Sequence, residues 1–416
     1  MIAHHDRYCF STLRSRLTAL TGRYRTAAKQ RNDEGGRRLY IDVSTIYRHD
    51  SGTGIQRVVR ALLLEIYQWS GDWTVIPVFA TRKASYHAVS KDFAIGPRLT
   101  ANRSGMPVVP QSGDIFLGLD LSAHLLPRHR GQCRWWRARG VKVAVIVYDL
   151  LPNDHPDFFT PKNVKNFRRW LSFVLNETDE AICISAAVAG RLSDIASARA
   201  PRRTRPHISR ITLGGDLSRS QPSKGLTAFD REVLDRVDRS RFTILMVGTV
   251  EPRKAYDVAL DAMDRIWTED RDRLVNLVVV GKPGWRSDLT ARRMAEHPEQ
   301  GQRFFRLDNA SDECLDLLYQ RSHGLLMTSY DEGFGLPVSE ALSYGKPVLV
   351  RDLPVFRELD HPDLSFFGSS DPASLSAAIK GWIEAIEQGG ERMPQPLPNW
   401  NDAGAMLRKV IDRLAI

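Results

Sequence analysis

The sequence predicts an α/β protein built from two doubly wound, mostly parallel sheets. Three observations carry this. A length of 416 residues argues for two domains with ample core. Short apolar runs alternate with helical stretches through both halves, the pattern of parallel sheets covered by helices. Several of those runs end in glycine-bearing turns that lead straight into helices, around Gly52 and Gly54, Gly248, and Gly333 to Gly335.

Composition narrows the class. Hydrophobic residues make up 42% and charged residues 26%, ordinary for a soluble protein. No apolar run approaches the roughly eighteen residues of a spanning helix, and the N-terminus shows no apolar signal core. Cys9, Cys133, Cys183 and Cys314 are scattered without metal-ligand spacing, which fits packing roles in a reducing, cytoplasmic compartment. No metal site is expected. The net charge is +10, and residues 1–38 hold nine basic against three acidic residues. There Phe10, Leu13, Leu17, Leu20 and Tyr24 recur at helical spacing, flanked by Arg14, Arg16, Arg23 and Arg25. A basic amphipathic helix in residues 1–37 can lie on an anionic membrane surface; it can equally pack on its own domain or form a frayed tail. No nucleic-acid-binding module is recognised, so no nucleic-acid partner is expected.

The first domain is expected over 38–220. Arg38–Val43 reads as its opening strand, followed by a turn holding Gly52 and Gly54 and a helix from Ile55. Without a full GxGxxG this is weak evidence for a dinucleotide. Gln56 and Arg57 are then either ligand-facing or part of a solvated helix face. Apolar strands follow at Trp73–Phe79, Asp114–Leu117, Val141–Val147 and Ala181–Ile184. Ligands of open α/β sheets bind beyond the carboxyl ends of strands, which places Asp149 for function. His155 follows in a loop, where a lone histidine is more often structural. Arg191–Arg210 reads as an exposed loop, and 217–238 as linker and helix.

The second domain, 240–399, opens with the strand Phe242–Gly248 and the turn Thr249-Val250-Glu251-Pro252-Arg253-Lys254. Arg253 and Lys254 at a strand-to-helix turn supply fixed cations for a pyrophosphate, or are plain surface charges. Strands at Leu274–Gly281 and Phe304–Leu307 and a helix at Asp312–Tyr319 continue the pattern. Asp270-Arg271-Asp272 precedes a strand and reads as solvated. The strand Leu325–Thr328, the loop Glu332-Gly333-Phe334-Gly335, a helix from Leu336-Pro337 and the strand Pro347–Val350 form one βαβ unit. Its loop lets backbone N–H groups approach a ligand, and the helix N-terminus carries partial positive charge, an arrangement suited to a diphosphate. Glu332 on the loop and Glu340, expected in the first helical turn, can accept bonds from sugar hydroxyls. Alternatively they are a capping and a solvated glutamate.

The string E-G-F-G-L-P-x-x-E-A-L-x-x-G-x-P-V resembles the signature of retaining glycosyltransferases of the GT-B fold, the family 4 group. V-G-T-x-E-P-R-K resembles that family's phosphate clamp, and T-G-I-Q-R-V-V-R a subset acting in surface-polysaccharide assembly. The resemblance covers about residues 38–416 and implies two Rossmann-like domains facing a cleft, with the helix 400–416 crossing back to the first. It implies a nucleotide-diphosphate sugar as donor substrate, with no separate cofactor, and a glycan or lipid-linked acceptor; a mannose or related deoxyhexose is the guess for the sugar. Glu332 would contact the sugar, Glu340 the ribose, and Arg253 and Lys254 the diphosphate. Gly333, Phe334, Gly335, Leu336, Gly248, Thr249, Gly52 and Gly54 would line the donor site. Asp149 joins the catalytic set, and Gln56, Arg57, Tyr148, His155 and Ser185 are acceptor-side candidates. Relatives often have His-Asp where this chain has Tyr148-Asp149. Ile211–Asp216 resembles the strand and turn before the interdomain linker. Rival readings are a GT-B phosphorylase or sugar-nucleotide epimerase, and a non-catalytic sugar-nucleotide-binding scaffold.

Overall fold

The structure is a computed structural model describing residues 37–50, 52–69, 72–89, 107–199, 205–217, 225–237, 241–270, 274–389 and 395–416. The basic segment 1–36 and, of Asp270-Arg271-Asp272, both Arg271 and Asp272 lie outside them. Among the described residues thirteen strands form two sheets. The first contains β1 (Arg37–Asp42), β2 (Trp73–Phe79), β3 (His87–Ala88), β4 (Ile115–Gly118), β5 (Lys142–Val147), β6 (Glu180–Cys183) and β7 (His207–Arg210), in the order β3-β2-β1-β4-β5-β6-β7. Only the short edge strand β3 runs antiparallel. The second contains β8 (Phe242–Val247), β9 (Val275–Val280), β10 (Phe304–Leu307), β11 (Gly324–Met327), β12 (Val348–Arg351) and β13 (Leu364–Phe367), in the order β10-β9-β8-β11-β12-β13.

Each strand order reverses direction once, between β1 and β4 in the first sheet and between β8 and β11 in the second. Connections leave such a pair toward opposite faces, which opens a crevice at the strands' carboxyl ends. The strands themselves are nearly continuous apolar runs because both faces are covered, and the core accordingly divides into two clusters for each sheet. The helix Trp400–Leu414 returns to pack on the helix Gly54–Tyr67 of the first unit. A Cβ on Gly404 would lie 2.7 Å from the Glu65 Cβ, so the two backbones approach closely there. Trp73 Nε1 donates to Asp412 Oδ1 at 2.9 Å. Among the described residues no helix is long and apolar enough to cross a membrane.

Several local expectations change. The segment Ser44–Arg48 is a short helix because Asp120, beyond β4, accepts from the Thr45 and Ile46 N–H groups at 2.7 Å each. Arg191–Ser197 continues the helix that Ser185 caps, so the exposed segment is shorter than its Arg-rich composition implied. The strand before the linker is His207–Arg210, and Ile211–Asp216 has no regular structure. Glu340 is the fifth residue of the helix Leu336–Ser343, one turn deeper than expected, and is buried.

Candidate active site

The second sheet's switch point carries the densest charge. Gly248 directly follows β8, and its φ of 144° suits glycine; a Cβ on Gly281, directly after β9, would lie 1.9 Å from the Gly248 carbonyl. The chain then makes one 3-10 turn, Pro252–Lys254, and passes through Ala255 in the left-handed region (φ 52°) before the helix Tyr256–Glu269. The end of β11 grips this turn: Thr328 Oγ1 donates to the Lys254 carbonyl at 2.8 Å and the Tyr330 N–H to the Arg253 carbonyl at 2.8 Å. Arg351, at the end of β12, in turn donates to the Thr328 and Ser329 carbonyls.

Neighbouring strand ends thus bring three charged side chains together. Lys254 Nζ lies 2.5 Å from Glu332 Oε1, and Arg253 Nη1 3.0 Å from Glu332 Oε2. Arg253 Nε lies 2.7 Å from Glu251 Oε1, while Trp285 Nε1 donates to Glu251 Oε2 at 2.9 Å. Burial alone would raise the Glu332 pKa, but Arg253 and Lys254 outweigh it and hold the carboxyl at about 2. Glu332 is therefore ionised at neutral pH, and its charge allows Lys254 to be buried and Arg253 to be largely so.

The first unit closes the other side. Asp149 follows β5 and accepts from the Leu151 N–H at 3.1 Å. Burial pushes its pKa up to about 6, with Arg253 opposing and Glu332 and Glu251 reinforcing. The Tyr148 side chain is buried, its hydroxyl donating to the Leu119 carbonyl at 2.6 Å. A Cβ on Gly333 would lie 2.1 Å from the Tyr148 carbonyl, so only glycine permits the loop of one unit to meet the strand end of the other. Ser185 ties the same point: its Oγ donates to the Gly333 carbonyl at 2.8 Å and accepts from the Val188 N–H, capping its helix. His155 Nε2 lies 2.9 Å from Asp331 Oδ2, again across the two units.

The helix Gly54–Tyr67 faces the cleft with its N-terminus. Gln56 is occupied by a reciprocal capping box with Thr53 and by donating from Nε2 to the His49 carbonyl at 2.7 Å. Gly52 takes a φ of 65°, and Gly54 lies under Leu336. Arg57 reaches across, its Nη2 2.5 Å from Glu340 Oε1, and the Tyr319 hydroxyl donates to Glu340 Oε2 at 2.7 Å. The Phe334 and Leu336 side chains pack into the first unit's core with Tyr148 and Ile184.

These residues surround one cleft of about 870 Å³. Glu332, Arg253, Lys254, Asp149, Tyr148, Arg57, Gly248, Thr249, Gly52, Gly54 and the loop Gly333–Leu336 line it. Glu340, Gln56, His155 and Ser185 stand behind that lining and act on it through hydrogen bonds. Sequence reasoning missed the roles of Glu251, Tyr319 and Asp331. Glu251 had a signal in its place beside Arg253, whereas Tyr319 reads as one more apolar-face residue of its helix.

With this geometry in place, comparison with known proteins is informative. Residues 231–388 match the family model described as Glycosyl transferases group 1. The chain is 33% identical over 394 residues to the serotype-specific mannosyltransferase WbdA of Escherichia coli, covering 91% of this chain and 47% of that protein. It therefore spans somewhat less than half the length of the curated relatives it matches first. The pneumococcal O-GlcNAc transferase GtfA, solved with UDP and GlcNAc, shares the fold with a TM-score of 0.57 at 10% identity, covering 92% of this chain and 99% of that one. Anabaena HepE, solved with UDP and glucose, superposes with a TM-score of 0.55 at 13% identity, covering 91% and 95%. The chain thus has the GT-B fold, and its residues 231–388 match the glycosyl transferases group 1 family.

Proposed function

We propose that this chain is a retaining glycosyltransferase that moves a hexose from a nucleotide-diphosphate sugar to a glycan or lipid-linked acceptor in surface-polysaccharide assembly. The observation that carries this is the buried Glu332, Arg253 and Lys254 triad at the second sheet's switch point, facing Asp149 across the cleft. Mannose is the favoured sugar, supported by the name of the relative WbdA.

The hard step is loss of the leaving group. As the bond between the anomeric carbon and the diphosphate oxygen breaks, its electron pair moves onto the diphosphate. Arg253 and Lys254 are already fixed and desolvated where that charge develops, so little reorganisation is needed. Glu332 pairs with Lys254 and, together with Glu251, with Arg253. When a diphosphate takes over those contacts, the Glu332 carboxylate is freed to accept from sugar hydroxyls. Arg57 and Tyr319 hold Glu340 behind the cleft lining, beside the place proposed for the ribose. Asp149, titrating near pH 6, stands on the acceptor side. Front-face attack by the acceptor, with retention at the anomeric carbon, completes the proposal.

The test is a transfer assay with a panel of nucleotide sugars and mannoside acceptors. Transfer with retained configuration supports the reading. Inverted configuration rejects the retaining mechanism, and sugar-nucleotide interconversion without an acceptor points to an epimerase.

A further inference from the structure

A second cavity, of about 1190 Å³, lies on the first unit beside the cleft. The two share a wall. On the helix Pro161–Glu177, Asn163 lines the cleft, while Val164, Lys165 and Asn166 line the second cavity. Trp285 lines the cleft and its stacking partner Phe159, with ring centroids 5.2 Å apart, lines the second cavity.

Charge sets this cavity apart. Arg128, Lys165, Arg168, Arg169 and Arg286 line it, all exposed, together with the half-buried Arg130, against one carboxylate, Asp157. Arg130 is paired, its Nε 3.4 Å from Glu177 Oε1, whereas among the described residues none of the five exposed cations forms an ion pair. By contrast Arg292, Arg293 and Arg303 on the second unit each have a carboxylate partner within 3.0 Å. Arg286 adopts a left-handed backbone (φ 55°), and its Nη1 donates to the Asp157 carbonyl at 2.6 Å, a hydrogen bond that brings a cation of the second unit to this cavity of the first. His124 in the same wall feels the excess: burial lowers its pKa first, and Arg82, Arg48, Arg128 and Lys162 lower it further.

Converging cations without counter-charges repel one another and do nothing for folding. A neutral glycan gives them no partner, whereas phosphate oxygens match both guanidinium and ammonium donors. We infer that this cavity binds the diphosphate through which a glycan acceptor is joined to its carrier lipid, while the glycan end passes Phe159 and Trp285 into the cleft. This rests on the transferase reading above and names the acceptor class.

The experiment compares the wild-type chain with a Lys165→Gln/Arg168→Gln/Arg169→Gln variant. The probes are two synthetic acceptors, a mannose joined to an alkyl diphosphate and the same mannoside on a neutral alkyl chain. All three substitutions are at exposed positions, and an unchanged melting temperature verifies the fold. The variant is expected to raise KM for the diphosphate acceptor at least tenfold while leaving kcat, and KM for the neutral acceptor, unchanged. Calorimetric binding of the diphosphate mannoside without donor should weaken by a similar factor. Equal KM values and equal binding in variant and wild type would overturn the inference. So would lost sedimentation with phosphatidylglycerol vesicles at unchanged acceptor KM, which would assign the cavity to membrane headgroups. If the wild type transfers to neither acceptor but the binding difference persists, the transferase reading fails and the diphosphate site stands.

Discussion

Glu332 and Glu340 are carboxylates of one βαβ unit, the first largely and the second fully buried, yet they are held in different ways. Glu332 is satisfied within the second unit, by Arg253 and Lys254 from the adjacent strand end. Glu340 draws its cation, Arg57, from the first unit, with only Tyr319 supplied locally. The first arrangement is preformed in one sheet. The second exists only while the two units face each other, so it senses their relative position. The difference separates a charge-stabilising centre from a closure-dependent one, and substitution should expose it.

The largest effect belongs to Glu332. Glu332→Ala should reduce transfer by at least about 100-fold, the range seen when a preorganised electrostatic contact is lost. It should also leave Lys254 without a counter-charge and Arg253 with Glu251 alone, and destabilise the protein by about 3–5 kcal/mol. A nucleoside diphosphate replaces that charge, so its thermal shift should be larger in the variant than in the wild type. A smaller shift would show that Glu332 does not compete with phosphate for Arg253 and Lys254.

Arg57→Ala comes next and should behave differently. It removes a contact between units, so we expect donor KM to rise about tenfold with kcat little changed, the signature of lost uniform binding. The Glu332 triad should be untouched. An equal loss in kcat would mean that the two carboxylates work as one unit and would erase the comparison.

Asp149 sharpens it from the acceptor side. Its pKa is raised in the folded state, so the folded protein binds the extra proton between the unfolded value and about pH 6. The stability it contributes is present below the unfolded pKa and is lost as pH rises through about 6. Asp149→Asn should therefore raise the melting temperature more at pH 8 than at pH 4, while lowering transfer at pH 8. A melting difference independent of pH would contradict the assignment. The smallest effect is expected at Gln56, where Gln56→Ala should cost about 1 kcal/mol of stability through the lost capping interaction, with KM near that of the wild type.

What could be read from the sequence follows the same division. The turn Val250–Lys254 and the loop Glu332–Leu336 were legible because each is a short strand-to-helix connection whose glycines and charges sit next to one another. Most strands were legible as apolar runs, with ends shifted by a residue or two. Contacts between units were not: nothing local pairs Arg57 with Glu340, Ser185 with Gly333, or His155 with Asp331. Those pairs depend on strand order and on how two sheets meet. The Ser44–Arg48 helix escaped for a similar reason, since its cap, Asp120, lies 75 residues beyond Thr45. His155 shows the limit from the other side: a loop histidine with no sequence partner acquires Asp331 only in three dimensions.

The most direct test of the central claim is the Glu332→Gln variant, assayed for hexose transfer and, by thermal shift, for binding of UDP, GDP, ADP and dTDP. Glutamine keeps the shape and removes the charge. The account predicts a folded protein that responds to the same nucleoside diphosphate as the wild type, or more strongly, while transfer falls at least about 100-fold. Transfer near the wild-type rate with the same donor would contradict it.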